Sequence, residues 1–270
     1  MEIEKYTEGN RISWNETMPF HNKAMWRVLS EKFKDSNYSY LDETEKTKLK
    51  KIGISGKTIA QVCCNNAIEL ISIVRLGAKE GYGFDISDEA IKHAKGIAAV
   101  AKSNCKFIRT DIYHVNEEYY NKFDLIYISA GSLNWLPDIK KFIEIISKML
   151  KIGGVIFVNE IHPFSEIFAP EDNEKFDSKK PYNIINSYFD NSPKICASGI
   201  DYLGKQKYKS EPNYWFTHTL SDIFNSCINN SIQLLEFDEY PRDVSAVLDH
   251  LQKDGMIPLS FILIGKKIKQ

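Results

Sequence analysis

From residue 58 onward, short apolar runs alternate with longer stretches whose apolar positions recur every three or four residues. The runs 58–63, 81–85, 105–109, 123–129 and 155–159 are rich in apolar, β-branched and aromatic residues and are predicted to be buried strands. Between the first two, 67–76 has helical spacing, and Gly77 stands where a helix stops. Ser87 is placed as the N-cap of a helix whose Ala90, Ile91, Ala94, Ile97, Ala98 and Ala101 share a face. Pro137 is expected in the first turn of a helix with Ile139, Phe142, Ile143, Ile146 and Leu150 on one side. Gly153-Gly154 is expected to turn the chain into the fifth strand. Strict alternation of this kind predicts a parallel sheet covered on both faces. Right-handed crossovers make it a doubly wound α/β fold.

The pattern changes on either side of this repeat. Residues 1–50 read as mostly helical and polar, with Trp14, Phe20, Trp26 and Phe33 as the aromatics of interest, and the lysine-rich run 43–51 reads as a solvated helix face. Residues 164–216 carry many Asn, Lys, Ser, Pro and Tyr with little periodicity, as expected of an insertion over the sheet. After it come a helix at 219–230 and two strands, 232–240 and 258–266, predicted as an antiparallel pair at the sheet edge. The expected organisation is an N-terminal helical cap segment (1–50), an α/β domain formed by 51–163 and 217–270, and an inserted cap (164–216).

Charge and cysteine usage narrow the possible roles. The formal net charge is −1, without the basic excess that phosphate-gripping domains usually show, so a nucleic-acid partner is not expected. The five cysteines are odd in number and none is spaced as CxxC, so neither a disulfide framework nor a metal site is predicted. The polar start of the chain does not resemble a signal peptide, and no stretch is apolar enough to span a bilayer. A cytoplasmic protein, monomeric or homodimeric and without a membrane partner, is the expectation. The absence of GxGxxG, GxxxxGK[ST] and GxSxG argues against nicotinamide or flavin dehydrogenases, P-loop enzymes and serine hydrolases.

In open α/β sheets ligands bind beyond the carboxyl ends of the strands, where strand order reverses. Those ends are Cys63-Cys64-Asn65-Asn66-Ala67-Ile68-Glu69, Asp85, Asp111 and Ser129-Ala130-Gly131. Asp85 lies 22 residues after Cys63, where a carboxylate is well placed to accept both hydroxyls of a ribose. Its other reading is support for the helix that begins near Ser87. Asp111 is suited to an adenine amine, or else is a turn residue.

The segments TIAQVCCNNAIEL, GYGFDIS, FIRTDIY, FDLIYISAGSLNWLPD and MLKIGGVIFVNEIHP, in this order, resemble the class I S-adenosylmethionine-dependent methyltransferases over about residues 55–165. The resemblance implies a Rossmann-like, mostly parallel seven-stranded sheet. It also implies S-adenosylmethionine as cofactor and S-adenosylhomocysteine as product. Asp85 and Ile86 would lie at the ribose, Asp111 and Ile112 at the adenine, and Ser129, Ala130 and Trp135 near the methionine end. Cys63, Cys64, Asn65 and Ala67 would form the first loop. This chain departs from the family there: the glycines usual at the positions of Cys63, Asn65 and Ala67 are all absent. Asn tolerates left-handed backbone, and Cys and Ala are small.

Methyl transfer from a sulfonium is an in-line displacement that chiefly needs alignment and exclusion of water. A general base helps only where the acceptor must lose a proton. His162, with Glu160 beside it, is the expected base or acceptor-orienting group. Its other reading is a loop histidine bonded to backbone. Trp14, His21 and Trp26, and the run Tyr214-Trp215-Phe216-Thr217-His218 in the insertion, are the candidates for acceptor contact. The alternative for Trp14 and Trp26 is anchoring a helix to the core, and the run from Tyr214 to His218 could equally be ordinary cap core. His93 and His114 are expected at the surface. The acceptor expected is a small molecule, with a peptide side chain or a non-catalytic cofactor-binding role as the alternatives.

Overall fold

A computed structural model of the chain describes residues 2–269, apart from 202–207 and the side chains of Asn22, Lys23, Ala24, Trp26 and Arg27. The chain opens with a long helix, α1 (Glu2–Lys34), and a shorter one, α2 (Glu43–Ile52). The α/β repeat follows as β1 (Thr58–Val62), α3 (Ile68–Arg75), β2 (Glu80–Asp85), α4 (Asp88–Ala101), β3 (Cys105–Arg109), β4 (Phe123–Ile128), α5 (Ile139–Met149) and β5 (Leu150–Ile161). A two-stranded ribbon, β6 (Lys194–Cys196) and β7 (Asn213–Trp215), lies between β5 and the next helix in the chain. The chain finishes with α6 (Leu220–Asn229), β8 (Ile232–Tyr240), α7 (Asp249–Gln252) and β9 (Ser260–Lys267).

The main sheet has seven strands in the order β3-β2-β1-β4-β5-β9-β8, parallel except for β9, which runs antiparallel to both β5 and β8. The doubly wound sheet and the antiparallel edge pair are therefore as predicted. Strand order reverses between β1 and β4, which puts the ligand crevice beyond their carboxyl ends. Period-two alternation divides the core between the two faces. Phe123, Ile126 and Ile128 of β4 enter the cluster with α5 and α6, whereas Leu125 and Tyr127 enter the cluster with α2 and α3. Each such buried side chain contributes about 1.5–3 kcal/mol.

The local signals act largely as read. Ser87 caps α4 by accepting the Ala90 N–H, and α6 has in addition a capping box of Thr219 and Asp222 that the sequence reading did not single out. Pro137 lies just outside α5 rather than in its first turn, because Asp138 is the N-cap and accepts the Lys141 N–H. Gly153 has φ 80°, but β5 already begins at Leu150, and the glycine pair makes an irregularity within the strand. The run 43–51 is more than a solvated face. Asp42 and Glu45 form a capping box on α2, Glu45 is buried, and Lys48 pairs with Glu236 and Asp238 on the edge strand β8.

No helix among the described residues is long and apolar enough to cross a membrane. All five cysteines are free, and no described group of three acidic, His or Cys side chains is arranged to hold a metal ion.

Candidate active site

A cavity of about 1070 Å³ opens beyond the carboxyl ends of β1, β2 and β4. Its floor begins with the loop after β1. Cys63, Asn65 and Ala67 have φ of 51°, 48° and 58°, so the three positions that lack the expected glycines all adopt left-handed backbone. The turn is held by Cys64 N–H to Phe84 O (3.0 Å), Ala67 N–H to Cys64 O (2.7 Å) and Asn65 N–H to Asp85 Oδ2 (2.7 Å). Cys63 and Asn65 border the cavity, whereas Cys64 and Ala67 are fully buried. Cys64 turns into the core against Gly83, where an added Cβ would lie 2.9 Å from its Sγ and 2.7 Å from the Phe107 ring. Left-handed backbone costs a non-glycine residue about 1–2 kcal/mol. Ala67→Gly should therefore stabilise the fold by about 1 kcal/mol after allowing for the looser unfolded chain. Ala99→Gly on the exposed face of α4 should destabilise it by about as much. Chemical denaturation of both variants checks the pair, and a loss of stability in Ala67→Gly would contradict the strain.

Asp85 ends β2 with both carboxylate oxygens engaged: Oδ2 accepts the Asn65 N–H and Oδ1 the Ser87 N–H at 2.8 Å. Burial raises its pKa, against these backbone donors. It borders the cavity with Ile86, Asp111, Ile112, Ser129 and Ala130, while Asp111 also caps a short turn by accepting the Tyr113 N–H. Gln61 ties the floor together: its amide donates to Glu69 Oε2 (3.2 Å) and Ser129 Oγ (3.1 Å) and accepts the Leu70 N–H (3.0 Å).

The roof has two parts. α1 lies across α4, where Asn15 accepts the Ser87 hydroxyl at 2.7 Å and donates to Asp88. Asn10 exchanges backbone bonds with Tyr214, at 2.7 and 3.0 Å, and so fastens α1 to β7. Gly9 allows this approach, since a Cβ there would meet Pro212 O at 2.8 Å. Trp14, Trp135 and Trp215 meet edge to face, with centroids 5.3 and 5.0 Å apart, and all three border the cavity. They bring together α1, the loop after β4 and the β6–β7 ribbon. His21 borders the cavity too, 3.5 Å from the buried Asp201, and burial lowers its pKa against that carboxylate.

Several expected residues stand elsewhere. His162 does not border the cavity. Its Nδ1 accepts the Phe164 N–H, which leaves the proton on Nε2 to donate to Glu239 at 2.9 Å, so the ring serves as a helix cap. Glu160 is buried beneath the loop after β4 and also stands off the cavity. Its carboxylate accepts the N–H groups of Gly131, Ile161 (2.7 Å) and Leu133 (2.8 Å), and burial pushes its pKa up to about 7. Tyr214 packs on Tyr6 of α1, and His218 bonds Leu136 O at 2.7 Å. His93, expected at the surface, is buried and borders the cavity because α1 covers α4. His114 is exposed as expected. The Trp26 side chain lies outside the described residues.

Of the run 214–218 it is Trp215, not Tyr214 or His218, that borders the cavity, and the sequence reading assigned no role to Glu45, Glu69 or Asn159, which border it too. Trp215 is one residue from the predicted Tyr214, and strand alternation sends neighbours to opposite faces. Glu45 and Glu69 lay within segments already singled out, the lysine-rich run and the first motif, but only tertiary packing turns them toward the cavity.

Sheet order, switch-point crevice and the carboxylate ending β2 define a class I S-adenosylmethionine-dependent methyltransferase fold. The family assignment agrees: residues 55–218 match the methyltransferase domain model, and the chain belongs to that family. Among solved structures, a putative S-adenosylmethionine-dependent methyltransferase from Listeria monocytogenes superposes with a TM-score of 0.62 at 18% identity, covering 83% of this chain and 96% of that one. Geranyl diphosphate C-methyltransferase from Streptomyces coelicolor, solved with S-adenosyl-L-homocysteine, gives a TM-score of 0.55 at 10% identity, covering 83% of this chain and 78% of that one. A curated relative, tRNA U34 carboxymethyltransferase from Campylobacter curvus, is 26% identical over 111 residues, 41% of this chain. The chain spans 37% of that relative's length.

Proposed function

We propose that this protein transfers the methyl group of S-adenosylmethionine to a small-molecule acceptor enclosed beneath α1 and the inserted segment. The observation that carries this reading is the cavity itself. At about 1070 Å³ it exceeds the ~300–1,000 Å³ typical of a site for one drug-sized ligand, leaving space for donor and acceptor together. In this reading Asp85 accepts the ribose hydroxyls, Asp111 and Ile112 flank the adenine, and the loops at Cys63–Asn66 and Ser129–Gly131 hold the methionine end. The sulfonium lies near the tryptophan group, whose faces attract a cation by about 0.5–2 kcal/mol. The roof excludes water and fixes the line of attack, and that alignment can supply ~7–11 kcal/mol of the barrier.

A polyanionic acceptor fits this lining poorly. Ten carboxylates border the cavity against one lysine, Lys194, and no arginine among the described residues. Lys194 itself faces Glu166 at 3.5 Å. Nucleic acid is gripped by the opposite arrangement.

Methyl-labelled S-adenosylmethionine offered with a metabolite extract, a protein extract and total RNA tests the proposal. Label is expected in the low-mass fraction of the metabolite reaction. Label found solely in protein or RNA would overturn it.

A further inference from the structure

The buried face of α1 is built unlike that of an ordinary surface helix, which buries an apolar stripe. Between Glu2 and His21, the buried α1 residues are Thr7, Asn10, Ser13, Thr17, Met18 and His21. All but Met18 are polar. Their spacing of three and four residues puts these polar residues on one side of the helix. Apolar anchoring is left to the two ends of α1. Ile3 packs against the main core cluster, and Leu29 and Phe33 join Ile68 and Ile71 of α3 and Ile97 of α4.

The polar stripe meets a polar partner. As residue number rises along α1, it falls along the facing chain. Asn10 bonds the Tyr214 backbone, and Ser13 Oγ lies 2.9 Å from Ser210 Oγ and accepts from the Asn213 amide at 3.3 Å. Glu16 accepts the Glu211 N–H at 3.2 Å, Thr17 bonds the Tyr208 hydroxyl, and His21 faces Asp201 at 3.5 Å. Aromatic rings touch across the seam at two places: Tyr6 meets Tyr214 and Phe216, and Phe20 meets Tyr208. A hydrogen-bonded seam parts at little net cost, because water offers each donor and acceptor a replacement; an apolar seam has none. Thr7, Asn10, His21, Asp201 and Asn213 also border the cavity, so parting leads directly into it.

We propose that the seam between α1 and the segment carrying β7 is a gate, which opens to exchange donor, acceptor and products and shuts for the transfer step. The proposal rests on the reading of the cavity as the chamber for methyl transfer. Transfer from a sulfonium gains from excluding water, whereas release of the products needs a way out. A polar seam serves both states. Shut, its groups satisfy one another; open, water satisfies them. The apolar ends of α1 hold the helix in place throughout.

Two measurements on the full chain test the gate. In the first, Ser13→Cys and Ser210→Cys are combined and oxidised to join the two sides, with each single variant oxidised alongside. Binding and release of S-adenosylhomocysteine are followed by stopped-flow fluorescence. Holding the gate shut should slow both rates about tenfold or more, leave the equilibrium affinity within about threefold, and be reversed by dithiothreitol. A distorted site would change the affinity as well. Oxidised protein that exchanges the ligand as fast as the reduced form would overturn the proposal, because ligand would then travel by another route. In the second, residue-resolved hydrogen exchange follows the Tyr214 amide, which crosses the seam to Asn10, in the ligand-free protein. It should exchange about 10²-fold or more faster than the amide of Leu263, in the buried strand β9. Equal protection of the two amides would also overturn the gate. Failure of the wild-type protein to bind S-adenosylhomocysteine would instead sink the methyl-transfer reading, and the exchange measurement would still judge the seam without any ligand.

Discussion

Asp85→Ala is expected to weaken S-adenosylmethionine binding by about 10²–10⁴-fold. Two hydroxyls would lose a charged acceptor, at about 1.5–3 kcal/mol each, and every 1.4 kcal/mol is tenfold in affinity. The same side chain also steadies the floor, because it accepts the Asn65 and Ser87 N–H groups on either side of the crevice. In the proposed reading, loss of the carboxylate removes a ligand contact, and it also releases a left-handed turn. Titration with 5′-methylthioadenosine separates these effects from the methionine end: it retains the ribose, so its affinity should fall by a similar factor. Affinity for both ligands within threefold of wild type would refute the ribose assignment.

Glu160→Leu should cost about 3 kcal/mol or more in folding free energy, because it leaves the N–H groups of Gly131, Leu133 and Ile161 buried without their acceptor. Leucine fills a similar volume, which limits the rescue that water could give. The loss also depends on pH. Burial raises this carboxyl from its ordinary 4.5 to about 7, so between those values the folded chain keeps a proton that the unfolded chain has released. The stability tied to Glu160 is thus complete below about pH 4.5 and declines as pH rises through about 7. Denaturant unfolding at pH 5 and pH 8 should show the wider gap between wild type and Glu160→Leu at pH 5. A gap equal at both, or wider at pH 8, would show that the backbone donors outweigh desolvation. Cofactor affinity should fall as well, since Gly131 and Ser132 border the cavity.

The framework of the fold was legible because each of its signals is local. Continuous apolar strands, the Ser87 cap and the apolar face of α5 depend on neighbours a few residues away. The crevice residues were legible for the same reason, since Asp85, Asp111 and Ser129 follow directly from strand ends. The roof was not. Whether Tyr214 or Trp215 faces inward depends on how β7 meets α1, a contact between residues 204 positions apart at Asn10 and Tyr214. His162 misled because its position after β5 is right while its ring is drawn back to cap the following turn and meet Glu239. His93 sits on what looks like an outward face of α4 until α1 is laid over it. The missing glycines pointed to a changed loop. The backbone keeps the left-handed turn and imposes it on Cys63, Asn65 and Ala67.

The two halves of the roof are synthesised at opposite times. α1 precedes its fasteners by some two hundred residues: Tyr214 for Asn10, Ser210 for Ser13 and Tyr208 for Thr17. The vestibule is therefore sealed by contacts of very long sequence separation, whose closure costs the most chain entropy. A chain interrupted before residue 208 would carry the first five strands of the sheet and most of the crevice floor, but lack the latch that encloses a reaction.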